Sequence, residues 1–495
     1  MEKYVLAIDQ GTTSTRAILF NREGKAVANA VREVPNLFPH EGWVEIDPLK
    51  IWISTVDVTN EVLINADISM DQVDSIGITN QRETAIIWDK KTGKPVYNAV
   101  VWQSRQSVDI CEEFAFQREF IHYKTGLLIN PYFSASKIRW ILDHIKDGQQ
   151  RADNGELLFG TVDTWLIYKM TQGKTFATDV TNASRTMLFN IFTLKWDEDL
   201  LKLFNIPKGM LPEVKSSSED YGVATYFSNK VHIYGVAGDQ HASLFGHNCF
   251  NAGESKNTYG TGCFMLMNTG DKPILSHNGL LTTIAWKIGD CVSYALEGSV
   301  FIGGAAVQWL RDGMKMIDKS SDSEPEALNC CDSDGVYVVP AFVGLGTPYW
   351  DDDVRGAIFG LTRATSKYHI VRATLEGIAY QSKDVFDVME KESKIKISSL
   401  QVDGGATANN VLMQFQSDIL QIELKKPQCL ETTALGVAYL AGLASGYWKD
   451  LNDIHAKHKY AKIYKPLMKK KDANEKLRGW KIAVEAARAF KPRKR

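Results

Sequence analysis

The 495-residue chain has no CxxC pair, and its seven cysteines are scattered apart from Cys330-Cys331. Zinc ribbons and thioredoxin-like redox centres need such pairs, so both are excluded. An odd, dispersed cysteine set without a secretory leader fits reduced thiols and predicts a cytoplasmic location. No uncharged apolar run has the length of a spanning helix, and the first apolar run, from Tyr4, is cut by Asp9. Neither a membrane span nor a signal sequence is expected. A charge excess is also lacking: 57 Lys and Arg against 59 Asp and Glu leave a net charge of −2, which argues against a nucleic-acid partner. The basic runs Lys469-Lys470-Lys471 and Lys491 to Arg495 read as solvated surface. Two nucleotide motifs are incomplete. Gly173-Lys174-Thr175 has Tyr168 where a P-loop needs glycine, and Gly344-Leu345-Gly346 lacks the third glycine of a dinucleotide fingerprint.

What is present is a long chain of ordinary globular composition, 44% hydrophobic and 23% charged, too long for one core. Apolar runs at 75–79, 84–88, 337–342 and 400–403 read as strands. Helical periodicity marks 136–142, 370–389, 409–420, 433–444 and a closing amphipathic helix at 475–490. Residues 213–219 read as a surface connection. Strands alternating with helices predict α/β lobes, divided at residues 1–246 and 247–495.

Four segments carry chemistry. In Asp9-Gln10-Gly11-Thr12-Thr13-Ser14, two strands flank a turn rich in hydroxyls and backbone N–H groups, either a plain hairpin or a phosphate wrap. Asn257-Thr258-Tyr259-Gly260-Thr261-Gly262 repeats the pattern about half a chain later, which predicts two lobes of one plan facing a shared cleft. Gly238-Asp239-Gln240 sits where a strand ends and a helix starts. Asp239 reads equally as a helix cap or as a base toward a bound hydroxyl. Asp403-Gly404-Gly405-Ala406 opens a helix before Asn409, either an ordinary turn or a place where an anion approaches backbone. Trp102, soon after the polar tip Gln81-Arg82-Glu83, is the tryptophan expected in a pocket.

Together with residues 101–103, 132–137, 308–312, 346–351 and 431–436, these segments resemble the FGGY carbohydrate kinase family of the actin-like ATPase superfamily, nearly end to end. The Gln81-Arg82-Glu83 tip followed by Trp102 is similar to the glycerol-using branch. The resemblance implies two RNase H-like (actin/hexokinase-type) α/β lobes: an N-terminal one with the glycerol and phosphate/Mg²⁺ site, a C-terminal one binding nucleotide, and the ATP cleft between them. It implies glycerol as acceptor, held by Arg82, Glu83, Tyr132, Asp239 and Gln240, with Trp102 and Phe264 packing its carbons. ATP would meet Thr12, Thr13, Ser14, Arg16, Gly260, Thr261, Gly304, Gln308, Gly405 and Asn409. Asp9 would hold Mg²⁺ through water, Asp239 would act as base, and the product would be sn-glycerol 3-phosphate. Selectivity for so small a polyol must come from its hydroxyls, because a missing hydroxyl leaves buried partners unpaired. A homodimer or homotetramer is implied as well.

The chain departs from the family pattern at His241, where many members carry a second glutamine; it is expected to face outward or to cap locally. The 221–232 loop has neither the phosphorylatable histidine of some members nor the basic bisphosphate-binding loop of others, and His232 falls in the following strand. Two rivals are weighed: a kinase for another polyol or sugar, which an acceptor panel separates, and an actin-like assembly or chaperone ATPase, which would hydrolyse ATP without a small acceptor.

Overall fold

The computed structural model describes residues 2–490; the basic run from Lys491 lies outside them. The N-terminal sheet is built from β1 (Tyr4–Gln10), β2 (Ser14–Phe20), β3 (Ala26–Glu33), β4 (Val73–Asn80) and β5 (His232–Gly238), in the order β5-β4-β1-β2-β3. β1, β2 and β3 are antiparallel, whereas β4 and β5 run parallel to β1. Val5, Leu6, Ala7 and Ile8 are all buried, because helices cover both faces and the strand needs no polar side.

The C-terminal sheet repeats the plan. Its strands are β6 (Ser255–Tyr259), β7 (Cys263–Gly270), β8 (Leu281–Ile288), β9 (Cys291–Val300), β10 (Ser399–Asp403), β11 (Glu423–Pro427) and β12 (Tyr460–Tyr464). Their order is β8-β9-β7-β6-β10-β11-β12. Within it, β9-β7-β6 is antiparallel and β6-β10-β11 is parallel, as β3-β2-β1 and β1-β4-β5 are in the first sheet. The two glycine-threonine turns occupy the same place in the two plans, between β1 and β2 and between β6 and β7.

The helices that bear on the site are α1 (Ser134–His144), α2 (Asp239–Gly246), α3 (Gly304–Asp312), α4 (Lys367–Ser393), α5 (Asn410–Leu420) and α6 (Thr432–Ser445). Each expected helix is present within a few residues of its predicted bounds, including the closing one at Lys470–Ala489. α6 lies on the N-terminal sheet, although the chain reaches it from the C-terminal one. Glycines make this possible: a Cβ on Gly77 would stand 2.5 Å from the Val437 carbonyl, and one on Gly235 the same distance from the Ala441 nitrogen. Where α6 crosses α2, a Cβ on Gly436 would lie 1.8 Å from the Ala242 carbonyl and one on Gly246 2.0 Å from that of Thr432.

Three local expectations need correction. The strand expected at 84–88 runs Ile86–Asp89 and pairs with Leu157–Gly160. Residues 213–219 are not merely a surface connection: Glu213–Lys215 pairs in parallel with Ala177–Asp179, and buried Ser217 donates to Asp179 at 2.8 Å. The strand at 337 ends at Val339 and pairs with Ala357–Phe359 outside both main sheets.

Candidate active site

Parallel strands in both sheets end at the same cleft, the usual place for ligands in open α/β sheets. β1, β4 and β5 deliver Asp9, the Gln81-Arg82-Glu83 tip and Asp239. β6 and β10 deliver Gly260 and Gly405.

Asp239 is the first residue of α2, whose cap is Gly238, so it is not a helix cap. Its Oδ1 accepts from the Gln240 amide at 2.7 Å and meets Arg82 Nε at 3.1 Å; the side chain is 31% exposed, open toward the cleft. Arg82 is buried and forks onto Glu297 of β9, Nη1 to Oε2 at 2.6 Å and Nη2 to Oε1 at 3.1 Å. Arg185 is also buried. Its Nε donates to Glu83 Oε1 at 2.6 Å and its Nη2 to Glu297 Oε1 at 3.1 Å. Glu83 sits in the left-handed region (φ 62°), uncommon for a non-glycine residue, with Ser134 of α1 donating to its carbonyl at 3.0 Å.

Electrostatics follows from this alternation. Burial works to raise the Glu297 carboxyl, but Arg185 and Arg82 outweigh it and hold it well below the usual range. Glu83 is pushed up, since burial exceeds the pull of Arg185 and Arg82. Burial opposes the Arg82 charge, yet the carboxylates of Glu297 and Glu83 raise its pKa.

An aromatic wall stands beside these charges. Trp102 and Tyr132 meet edge to face at 5.5 Å, and Trp102 Nε1 donates to Thr12 Oγ1 at 2.9 Å, joining the wall to the first glycine-threonine turn. Lys137 of α1 donates to the carbonyls of Pro131, Tyr132 and Phe133 at 2.6, 2.5 and 3.1 Å, fixing the backbone under Tyr132. Phe264 lies on β7 between Thr258 and Ser299 of its neighbours and is half-buried; it joins neither ring of the wall.

Thr12, Thr13 and Ser14 form the first turn, closed by the Gly11 amide on the Ser14 carbonyl at 2.8 Å. Arg16 pairs with Asp9 across the hairpin and reaches Glu431 at 3.2 Å. Burial pushes Asp9 up to about 7, Arg16 pulls it down, and the Asp239 and Glu431 carboxylates push it further up. Asp9 and Asp239 thus stand close enough for their charges to interact. A hard divalent cation held through one or two carboxylates, water and substrate phosphate fits that donor set. Among the described residues, no group of three or more His, Cys, Asp or Glu could hold a metal unaided.

On the C-terminal side, Gly260, Thr261, Gly304, Gln308, Gly405 and Asn409 all line one cavity of about 560 Å³. Gly404 (φ +89°) packs where any Cβ would meet the Tyr259 backbone at 2.5–2.8 Å, so the two turns close side by side. A short 3₁₀ turn, Gly405–Ala408, leads from the glycines to the helix expected at 409–420. α5 then starts at Asn410, with the Asn409 side chain capping the Leu412 amide at 2.9 Å.

His241 neither faces outward nor caps. It is fully buried, with Nε2 at 3.0 Å from Thr283 Oγ1, and burial beside Arg82 drives its pKa well below the usual value. α2 turns its third residue inward because the opposite face belongs to α6. His232 does begin β5, where it meets Asp220 at 2.9 Å.

Sequence reasoning missed Glu297, Arg185, Lys137, Lys256 and the serines of 320–323. Lys256, buried on β6, contacts Gln240 and donates to Thr258 at 2.9 Å; burial lowers it to about 8 against the pull of Asp403 and Asp239. Ser320, Ser321 and Ser323 line the cavity of about 560 Å³, and Asn409 donates to Ser323 at 3.1 Å. A signal existed for two of these: Glu297 and Lys256 are charges inside strand patterns, and buried charges are rare unless paired or used.

The comparisons with known proteins agree with this architecture. The FGGY family of carbohydrate kinases matches through its N-terminal domain over residues 4–246 and its C-terminal domain over 255–445. The chain is 57% identical to a glycerol kinase of Bacillus licheniformis and 56% to one of Bacillus subtilis, in each case over 99% of this chain and all of the relative. A crystal structure of Plasmodium falciparum glycerol kinase with ADP superposes with a TM-score of 0.92 at 39% identity, covering 98% of both chains. A gluconate kinase from Lactobacillus acidophilus shares the fold, with a TM-score of 0.88 at 23% identity over 99% of this chain and 98% of that one. The chain belongs to the FGGY family of carbohydrate kinases.

Proposed function

We propose that the protein transfers the γ-phosphoryl group of ATP to glycerol, giving sn-glycerol 3-phosphate. The observation that carries this reading is the buried Arg82 and Glu83 with the part-exposed Asp239 beside the Trp102–Tyr132 wall, in a chain 57% identical over its length to a named glycerol kinase. Two carboxylates that accept and a guanidinium that donates suit a small polyol. The aromatic edge covers its carbons, with Phe264 reaching the same site once the lobes close. Gln240, braced by Lys256, supplies a further polar contact.

Asp239 takes the proton of the attacking hydroxyl. A carboxylate is a weak base at neutral pH, which phosphoryl transfer tolerates because positioning and charge neutralisation do most of the catalysis. The backbone and hydroxyls of Thr12, Thr13, Ser14 and Thr261, with Arg16, meet the phosphates. Gly260, Gly304, Gln308, Gly405 and Asn409 frame the rest of the nucleotide. Asp9 would hold Mg²⁺, and the bound ion would neutralise phosphate charge. The division into units 1–246 and 247–495 follows the two sheets, with α6 as the return contact. Among the described residues no helix is long and apolar enough to cross a membrane. A cytoplasmic homodimer or homotetramer without nucleic-acid partners completes the reading, on family likeness and near-neutral charge.

The test is ADP release from ATP and Mg²⁺ with glycerol, xylulose, gluconate, dihydroxyacetone or 1,2-propanediol, and with no acceptor. Strong stimulation by glycerol with glycerol 3-phosphate as product is expected, and Asp239→Asn should lose roughly 10²–10⁴ of it with the fold intact. Stimulation by another acceptor alone overturns the substrate. Equal release without acceptor favours the assembly-type ATPase.

A further inference from the structure

Five charged side chains alternate in sign, Asp239, Arg82, Glu297, Arg185 and Glu83, and the last of them also lies 3.9 Å from Arg82 Nε. The links are 3.1 Å from Asp239 to Arg82, 2.6 and 3.1 Å from Arg82 to Glu297, 3.1 Å from Glu297 to Arg185 and 2.6 Å from Arg185 to Glu83. The two ends are the carboxylates assigned above to the acceptor. Four members come from the N-terminal half. The middle one, Glu297, comes from β9 of the other sheet and is completely buried.

Glu297 therefore has no direct route to solvent or to the cleft mouth, and each of its oxygens is engaged by a guanidinium. Oε1 receives both Arg82 Nη2 and Arg185 Nη2, so the two guanidiniums are tied through one atom. Any change in its position moves Arg82 relative to Asp239 and Arg185 relative to Glu83. A carboxylate so placed does more than neutralise charge. A buried pair gains little net stability over apolar packing, whereas its geometry is unusually well defined. Glu83, in its left-handed conformation, depends on Arg185 for its only charged hydrogen bond.

We propose that Glu297 is a positioning residue that sets, through Arg82 and Arg185, the separation and orientation of the two acceptor-binding carboxylates, and so fixes which polyol is accepted. The proposal rests on the acceptor reading of this cluster. It makes acceptor recognition dependent on where the C-terminal sheet stands, because Glu297 is that sheet's charged contribution to the carboxylate and guanidinium cluster.

The wild-type protein is assayed first with glycerol and with 1,2-propanediol, which lacks one hydroxyl. Absence of any acceptor-dependent turnover sinks the acceptor reading itself, and this proposal with it. Given turnover, Glu297→Gln keeps the shape and removes the charge that holds both guanidiniums. The KM for glycerol should rise roughly 10- to 100-fold, the scale for removing a residue that orients a ligand-binding group, while the KM for MgATP stays within about twofold. The preference for glycerol over 1,2-propanediol should shrink, and Glu297→Asp, charged but one methylene short, should recover part of it. An unchanged glycerol KM overturns the proposal, as does a parallel rise in both KM values, which a merely structural residue would give. Should Glu297→Gln be insoluble, Arg185→Lys keeps the charge but cannot bridge Glu83 and Glu297 together, and the same split between acceptor and nucleotide KM is expected. Insolubility of both variants counts against the proposal, since the cluster would then hold the lobes together rather than tune the acceptor.

Discussion

Asp9 is half-buried and Glu297 fully buried, and their neighbours drive the two carboxylates in opposite directions. Two guanidiniums overcome burial at Glu297, whereas at Asp9 burial, Asp239 and Glu431 overcome Arg16 and push it up to about 7. In the protein without nucleotide, folded Asp9 keeps a proton that the unfolded chain, with its ordinary value of 3.8, has already lost. Stability therefore falls on this account as pH rises from about 4 to about 7, and is flat above. On the proposed role of Asp9 toward Mg²⁺, binding of MgATP needs the ionised form. Hence kcat/KM for MgATP, which reports the free enzyme, should climb with pH and level off near 7. Asp9→Asn should remove this limb from the thermal-stability profile and abolish most of the activity. A limb that persists in the variant would assign it to another group. The position of Asp9 at a strand end was legible in the sequence. Its environment was not, because Asp239 and Glu431 arrive from 230 and 422 residues further along the chain.

At the scale of elements, the crossing of α2 and α6 sets where Asp239 points. α2 starts with Asp239, and its far end packs on α6 with Gly246 and Gly436 at the contact. Asp403 of β10 ties the crossing to the second sheet, accepting from Ser243 at 3.1 Å and from Thr432, with His247 Nε2 at 3.1 Å. Gly436→Ala forces a methyl to 1.8 Å from the Ala242 carbonyl, which no side-chain rotation relieves. The helices must separate by about an ångström, a misplacement able to cost on the order of 10²-fold in turnover. The expected result is a kcat loss of that order with a lowered Tm; near-normal kcat would show that α2 is positioned by β5 alone. The hairpins and helices at this scale were readable because alternation and 3.6-residue periodicity report each element's own buried face. Partners were not readable. Nothing in residues 86–89 says that they pair with 157–160, and nothing in residues 432–445 says that α6 crosses back to the first sheet. His241 was misjudged for the same reason: a polar residue in a first helical turn looks exposed until its neighbours are known.

For the molecule as a whole, contacts between the halves are unequal in kind. Near the acceptor they are buried, namely the Arg82–Glu297 fork and the α2–α6 crossing. Toward the nucleotide turns the bridge is Arg16–Glu431, with both side chains more than 40% exposed. Such an exposed pair is worth at most about 1 kcal/mol, so it is no latch, and phosphate arriving at Arg16 displaces Glu431 cheaply. Buried ties reach the second sheet as well, at Asp403 with Ser243 and His247, so closure pivots on the buried contacts while the exposed Arg16–Glu431 bridge is the one that opens. Closure that excludes water also protects ATP from hydrolysis, provided it waits for the acceptor. Small-angle scattering should then show contraction with glycerol and a non-hydrolysable ATP analogue together, and little change with glycerol alone. ATP hydrolysis without acceptor should remain below roughly 1% of the glycerol-stimulated rate. If instead the analogue alone gives full contraction, closure answers to nucleotide only, and protection from hydrolysis has to come from the empty acceptor pocket, where Asp239 stays paired with Arg82 and no hydroxyl is presented to the phosphoryl group.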